Sequence, residues 1–471
     1  SAVCCMYATK QVILTKEHHP DSDVTVFHND IRAFGKGFER FYNRAKGMDG
    51  VRFHWGRGAV LDQDAETGGV TVRYRINGSE VRDEVFDMVV LSVGLTATEG
   101  NRELARKLEL DINEHGFCKS PEFAPVETSK EGVFACGVFK EPMDIPDSVT
   151  MASGAASLAS QLLWEGRGTQ VEEKVIPPER DITGDPPRVG VFVCDCGTNV
   201  VKVVDVPGVV SYARNLQGVS YAVEETFACS VDSVTNIIKT IQESNLNRVV
   251  VAACTPRTHE PLFRDAMSQA GLNPFLFEFA NIREHCSFVH MQAKEAATHK
   301  AKDLVRMAVA KVRLLEPLYQ ISYPINRSAL VIGGGVAGMM SSVSLARQGI
   351  QVHLLEKSEA LGGLAMKIPQ TLEDEDVQSF MQHLIDEVEK HPGITVHTGK
   401  KLLEYAGYVG NFRSTIQAIE NETVEDIEHG ITIVATGAEE YKPSEYLYEE
   451  NDRVMTLLDL DAAIAESPDR F

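Results

Sequence analysis

Ser328-Ala-Leu-Val-Ile332, then Gly333-Gly-Gly335-Val-Ala-Gly338, then Gln351-Val-His-Leu-Leu355-Glu356 decide how this chain folds. In order they read as an apolar strand, a glycine turn, a helix running through Arg347, and a second strand closed by an acid. That order makes a G-x-G-x-x-G match specific, because each glycine then has a separate task in a βαβ unit. Gly333 allows the tight turn, Gly335 lets backbone N–H groups approach a pyrophosphate, and Gly338 permits close helix–strand packing. Val336 and Ala337 open the helix, whose N-terminus favours phosphate charge. Glu356 can accept from ribose hydroxyls, with Lys357 beside it. Ile431-Thr-Ile-Val-Ala-Thr436-Gly437 is a further buried strand ending at a glycine, where Thr436 and Gly437 could approach a cofactor.

Outward from this unit, the 471 residues suffice for two to four domains. A hydrophobic fraction of 43% with 24% charged residues is that of a folded globular chain. Its 46 Lys and Arg against 68 Asp and Glu give a formal charge of −22, which argues against nucleic-acid binding. No apolar run is long enough to span a membrane, and Ser1 to Leu14 lacks the basic leader of a signal peptide. The nine cysteines then fit a reducing cytoplasmic setting, as ligands or redox groups rather than staples.

Two stretches divide the chain. Residues 178–187 (PERDITGDPP) read as a linker, and so do residues 316–327 (EPLYQISYPINR). Segment 1–177 is expected to hold helices over 2–17, 36–45 and 148–163. Its strands are expected over 23–27 and 51–54, in a hairpin of 69–76 with 80–86 turned at Asn77-Gly78, and as buried strands over 87–94 and 132–137. Segment 328–471 carries the glycine-turn unit. Segment 188–315 alternates strands (189–193, 219–223, 248–253, 274–277) with helices (204–215, 231–243, 260–270, 282–315). The fold class is α/β, with parallel, doubly wound sheets.

Five cysteines share one position in that middle segment. Cys194 and Cys196 follow its first strand, Cys229 follows the second, Cys254 ends the third, and Cys286 opens the helix after the fourth. All are expected at the carboxyl rim of one sheet, where such folds bind ligands, and helix N-termini there are expected to lower thiol pKa. Scattered packing is the bland alternative. Zinc is a rival for four thiolates, although the usual two-knuckle spacing is absent. Five thiols for four positions leave one spare. Arg257 and Arg283 lie on the same rim, as tuning donors or as surface ion pairs.

Val189-Gly-Val-Phe-Val-Cys-Asp-Cys-Gly-Thr-Asn199, Ala253-Cys-Thr-Pro-Arg-Thr-His-Glu-Pro-Leu-Phe263 and Asn281-Ile-Arg-Glu-His-Cys286 resemble the N-terminal domain of the A-type component of heterodisulfide reductase. Segment 328–471, with Leu361-Gly362-Gly363, resembles the start of that family's thioredoxin-reductase-like FAD domain. Segment 1–177, with Val3-Cys-Cys-Met-Tyr-Ala8 and Asp144-Ile-Pro-Asp-Ser-Val149, resembles the later part of such a module. The later part coming first reads as a window from a tandem two-module protein.

The resemblance implies FAD, with Gly363, Gly137 and Ser148 added to the cofactor contacts. It also implies a [4Fe-4S] cluster on the middle-segment cysteines, and Cys4 and Cys5 as the last two ligands of a further cluster motif. The activity implied is electron transfer as an oxidoreductase, with flavin-based electron bifurcation or confurcation. The implied partners are B- and C-type subunits, hydrogenase or formate dehydrogenase donors and ferredoxin, in a large complex or homo-oligomer. Two alternatives remain open: an NAD(P)H-dependent disulfide oxidoreductase of the thioredoxin reductase type, and a non-catalytic electron-relay scaffold. The first needs a close dithiol, and the chain has no C-x-x-C.

Overall fold

Parallel pairing carries both main sheets of the protein, in the α/β manner that alternating strands and helices imply. The computed structural model describes residues 2–56, 60–63, 68–76, 80–172 and 174–467. Two compact units emerge: Ser1–Thr169 together with Pro324–Phe471, and Gln170–Tyr323.

In the first unit a four-stranded parallel sheet has the order Ile394–His397, Gln351–Leu355, Ser328–Ile332, Ile431–Val434. Helices Val336–Ala346 and Val377–Lys390 cover one face through Val331, Met339, Val343, Met381 and Leu384. An antiparallel sheet of Lys400–Tyr408, Asn411–Ala418 and Val424–His429 covers the other, with Leu330 and Leu355 against Ile416 and Ile427. Nothing in the sequence reading anticipates that second sheet.

The N-terminal segment docks on the helical face. Ser157 and Gln161 of helix Ile145–Leu162 meet the Ser344 hydroxyl at 2.9 and 2.8 Å. Phe123 stacks on Phe380 with ring centroids 4.1 Å apart. Trp164 lies so near Gly349 that a Cβ there would sit 2.7 Å from its ring. The rest of the segment holds helices Val3–His18 and Phe38–Lys46 on the parallel pair Val24–His28 and Val51–Trp55. An antiparallel sheet of Val60–Gln63, Val70–Ile76 and Glu80–Phe86 follows. The turn expected at Asn77-Gly78 lies outside the described residues.

Four local expectations need correction. Residues 87–94 form no strand, and Met88, Val90, Leu91 and Val93 are exposed. No described strand pairs with this run to cover it. Residues 132–137 are likewise not a strand; Phe134 makes an isolated bridge to Glu127. The fourth strand of the middle unit is Phe277–Asn281 rather than 274–277, because Leu276 closes a turn on Asn273. The helix expected over 282–315 is a π-helical turn, Arg283–Ser287, followed by Lys294–Val312.

The second unit is a parallel sheet in the order Val219–Glu225, Val189–Cys194, Arg248–Ala253, Phe277–Asn281. Helices flank it on both faces, giving one core around Val191 and Val250 and another around Phe192 and Val251. Such an order reverses direction between its first and third strands, and ligands gather in the crevice at the carboxyl ends of that pair.

Candidate functional site

Cys194 and Cys254 stand at the two sides of that crevice, as the last residue of one strand and the first beyond the other. The loops complete the rim. Asn199 and Val200 both donate to the Cys196 carbonyl at 3.1 Å, winding the loop that follows it. Ala228 N–H donates to the Cys194 sulfur at 3.4 Å, bringing the Cys229 loop onto it. Phe227 of that loop reaches the Gly197 turn.

Burial pushes the Cys194 thiol up to about 12, with further upward pushes from Cys196, Cys229 and Cys254. Cys254 is also raised by burial, opposed by its bond from Thr255 N–H and by Arg283. The expected lowering by helix N-termini is therefore absent at these two sulfurs, because desolvation outweighs it. Cys286 stands apart. It is fully buried in the core, and its thiol donates to the Ala297 carbonyl at 3.0 Å. Cys4 and Cys5 open the Val3–His18 helix, where the Cys5 thiol faces the Asp30 carbonyl at 3.7 Å.

Among the described residues, no three His, Cys, Asp or Glu side chains are close enough to hold a single metal ion. A zinc ion at about 2.3 Å from four sulfurs would draw them to about 3.8 Å from one another. A four-iron cluster binds each sulfur to a different iron and so tolerates wider spacing. The four rim thiols, Cys194, Cys196, Cys229 and Cys254, offer the thiolate donor set that such a cluster takes.

In the first unit the glycine turn sits at the corresponding switch point, between Ser328–Ile332 and Ile431–Val434. Gly333 has φ +113°, and a Cβ there would collide with the Ala435 carbonyl. A Cβ at Gly338 would overlap the Gly333 oxygen, whereas Gly335 has open space beside it. Gly335 caps the Val336–Ala346 helix without a side-chain bond, so no cap side chain occupies the helix N-terminus. Gly363 closes the other side, where an added Cβ would sit 3.3 Å from the Gly335 Cα.

Glu356 Oε2 accepts from Gly334 N–H at 2.6 Å, and Oε1 accepts from Ser358 N–H at 2.8 Å. Burial opposes its charge, but those two N–H groups outweigh it and hold the carboxyl below the usual range. Lys357 pairs with Glu439 at 2.9 Å, while Thr436 and Gly437 are exposed at the strand end. Gly137 adjoins Ser148, whose hydroxyl donates to the Asp144 carbonyl at 2.8 Å. Sequence reading missed the Ala228 contact and the role of Ser287 described below; no local pattern marks either one.

Residues 329–429 match the FAD dependent oxidoreductase family and residues 6–156 the pyridine nucleotide-disulphide oxidoreductase family. The chain thus carries stretches similar to both families, and it is similar to the A-type components of heterodisulfide reductase. It is 47% identical over 234 residues to the second A-type iron-sulfur component of the CoB–CoM heterodisulfide reductase of Methanopyrus kandleri, covering 50% of this chain and 36% of that protein. It is 46% identical over 240 residues to the A-type component of the H(2):CoB-CoM heterodisulfide,ferredoxin reductase of Methanothermobacter marburgensis, covering 51% and 36%. The A-type iron-sulfur component of the Methanocaldococcus jannaschii CoB–CoM heterodisulfide reductase is 44% identical over 233 residues, covering 49% and 35%. The chain thus spans about a third of the length of these relatives. No helix among the described residues is long and apolar enough to cross a membrane.

Proposed function

We propose that this chain is an electron-transferring iron–sulfur flavoprotein component, with a [4Fe-4S] cluster on Cys194, Cys196, Cys229 and Cys254 and FAD on the Gly333–Gly338 turn. The observation that carries it is that Cys194 and Cys254 end neighbouring strands and Ala228 N–H draws the Cys229 loop onto the Cys194 sulfur, while Cys286 turns into the core. When bound, FAD supplies two-electron uptake and single-electron release, and the cluster supplies one-electron storage.

The chain's own residues do the holding. The N–H groups at Val336 and Ala337 receive the pyrophosphate, Glu356 accepts from ribose hydroxyls, and Gly363 with Gly437 leaves room for the cofactor. The direction of helix Ile145–Leu162 supports Gly137 and Ser148 as contacts. Ser157 and Gln161 meet Ser344, and Trp164 meets Gly349, so this helix runs the same way as Val336–Ala346. At about 1.5 Å per residue, the two helices begin about 18 Å and about 12 Å before those contacts. Both N-termini are thereby aimed at one rim, which supports a flavin site built from the two ends of the chain.

Bifurcation or confurcation, exchange with ferredoxin, hydrogenase or formate dehydrogenase components, B- and C-type partners in a large complex, and a cytoplasmic setting belong to the same proposal. The ferredoxin named in the Methanothermobacter relative supports one of those partners. The match over 6–156 favours a second reading, NAD(P)H-driven disulfide reduction. Its nearest thiol pair, Cys4 and Cys5, is adjacent in sequence and would form a strained bond.

Iron, sulfide and flavin analysis of anaerobically purified protein tests the proposal. Cys196→Ala should lose iron and keep flavin; Gly335→Asp should lose flavin and keep iron. Wild-type protein without iron, or with zinc in its place, would refute it.

A further inference from the structure

We infer that Arg283, backed by Glu284, is the fixed dipole that raises the reduction potential of the cluster held by the four rim cysteines. The inference rests on that cluster reading.

Geometry puts Arg283 where this requires. Its strand, Phe277–Asn281, pairs with Arg248–Ala253 so that Asn281 lies opposite Ala253, and Ile282 N–H donates to the Ala253 carbonyl at 2.8 Å. Ile282 therefore lies level with Cys254 on the neighbouring strand, and Arg283 is the next residue. Asn281 Oδ1 accepts from Arg283 N–H at 3.2 Å and from Glu284 N–H at 3.0 Å, pinning the start of the π-helical turn. Ser287, fully buried at the end of the turn, donates to the Asn199 carbonyl at 2.6 Å. Asn199 belongs to the loop wound on Cys196. The turn is thus clamped between the Cys254 strand and the Cys196 loop, and π-turns of this kind recur at functional sites.

The side chains are oriented as a pair. Glu284 Oε1 accepts from both Nε and Nη2 of Arg283, at 2.9 and 2.6 Å, leaving Nη1 for another acceptor. The guanidinium also lies 5.5 Å from the Phe288 ring centroid. Burial works against the charge of Arg283, but Glu284 and then Cys254 and Cys196 raise its proton affinity above the usual guanidinium value. Cys254 and Cys196 act on the guanidinium, and Glu284 holds its Nε and Nη2 edge. Glu284 Oε2 is buried with no hydrogen-bond partner, so the carboxylate does more to hold Arg283 than to satisfy itself. Arg257, the other rim arginine, is exposed.

Four thiolates make a cluster site strongly negative, and reduction adds one more electron. A positive charge aimed at it stabilises the reduced state more than the oxidised one. An EPR-monitored redox titration of the anaerobic full-length chain separates the outcomes. Arg283→Gln should lower the cluster midpoint by at least a tenfold change in the reduction equilibrium, about 59 mV for one electron. Glu284→Gln should raise it, and Arg283→Lys should restore most of the loss.

A role confined to structure would not move two neighbouring variants in opposite directions. Coincident midpoints, or shifts of the same sign in clusters that remain intact, overturn the inference. Should Arg283→Gln fail to keep its cluster, an unchanged or lowered midpoint in Glu284→Gln overturns it alone. Wild-type protein lacking the cluster signal would instead sink the underlying reading together with the inference.

Discussion

Replacing Cys286 and Cys229 in turn by alanine should make stability and iron retention move in opposite directions. The Cys286 sulfur is buried in the core and donates one hydrogen bond to the Ala297 carbonyl. Losing one net hydrogen bond costs about 0.5–1.5 kcal/mol, and deleting one buried heavy atom costs about 0.5–1.5 kcal/mol more. The combined loss, about 1–3 kcal/mol, remains below a domain stability of about 5–15 kcal/mol. Cys286→Ala should therefore fold, unfold at lower urea, and keep its iron. Cys229 is exposed, so its replacement should change stability by no more than about 0.5 kcal/mol, yet it removes a proposed ligand. Urea unfolding of the metal-free proteins measures the first quantity. Anaerobic iron and sulfide content with EPR of the reduced protein measures the second. A Cys286→Ala protein that loses its cluster while Cys229→Ala keeps it would refute the assignment of the four thiols.

Two further outcomes bear on the first unit. Gly338→Ala should abolish flavin retention and destabilise the unit by about 1–3 kcal/mol, because the added Cβ overlaps the Gly333 oxygen; flavin content and denaturant unfolding check it. His353, His397 and His429 are held below the usual 6.5, in each case by burial first, with Glu425 opposing at His353 and His397. The unfolded chain then binds more protons below about pH 6.5, so stability is full above that value and falls as pH drops through the folded-state values. Thermal unfolding between about pH 8 and about pH 5 should show that decline, and a flat profile in a chain that remains folded would contradict it.

Much of this was legible because it is local. The glycine turn needs a glycine at φ +113° and small residues where backbone meets backbone, and those demands are written at Gly333 and Gly338. Strand-ending cysteines are equally visible, since a strand's carboxyl end is a property of its own sequence. Residues 87–94 show the opposite limit: their apolar composition suggested burial, but no described strand pairs with them, and composition does not name a partner.

The sequence by itself determined the α/β class and the glycine turn and raised the expectation of a five-thiol rim, because short-range sterics and periodicity fix turns and strands. Only the tertiary structure decided that Cys194 lies beside Cys254 while Cys286 does not, and that the two ends of the chain share one unit. The first depends on strand order, which brings Cys194 beside Cys254, and on a π-turn that leaves Cys286 in the core. The second depends on shape and hydrogen bonding between distant helices, as between Ser157, Gln161 and Ser344, and no local pattern encodes which faces will meet.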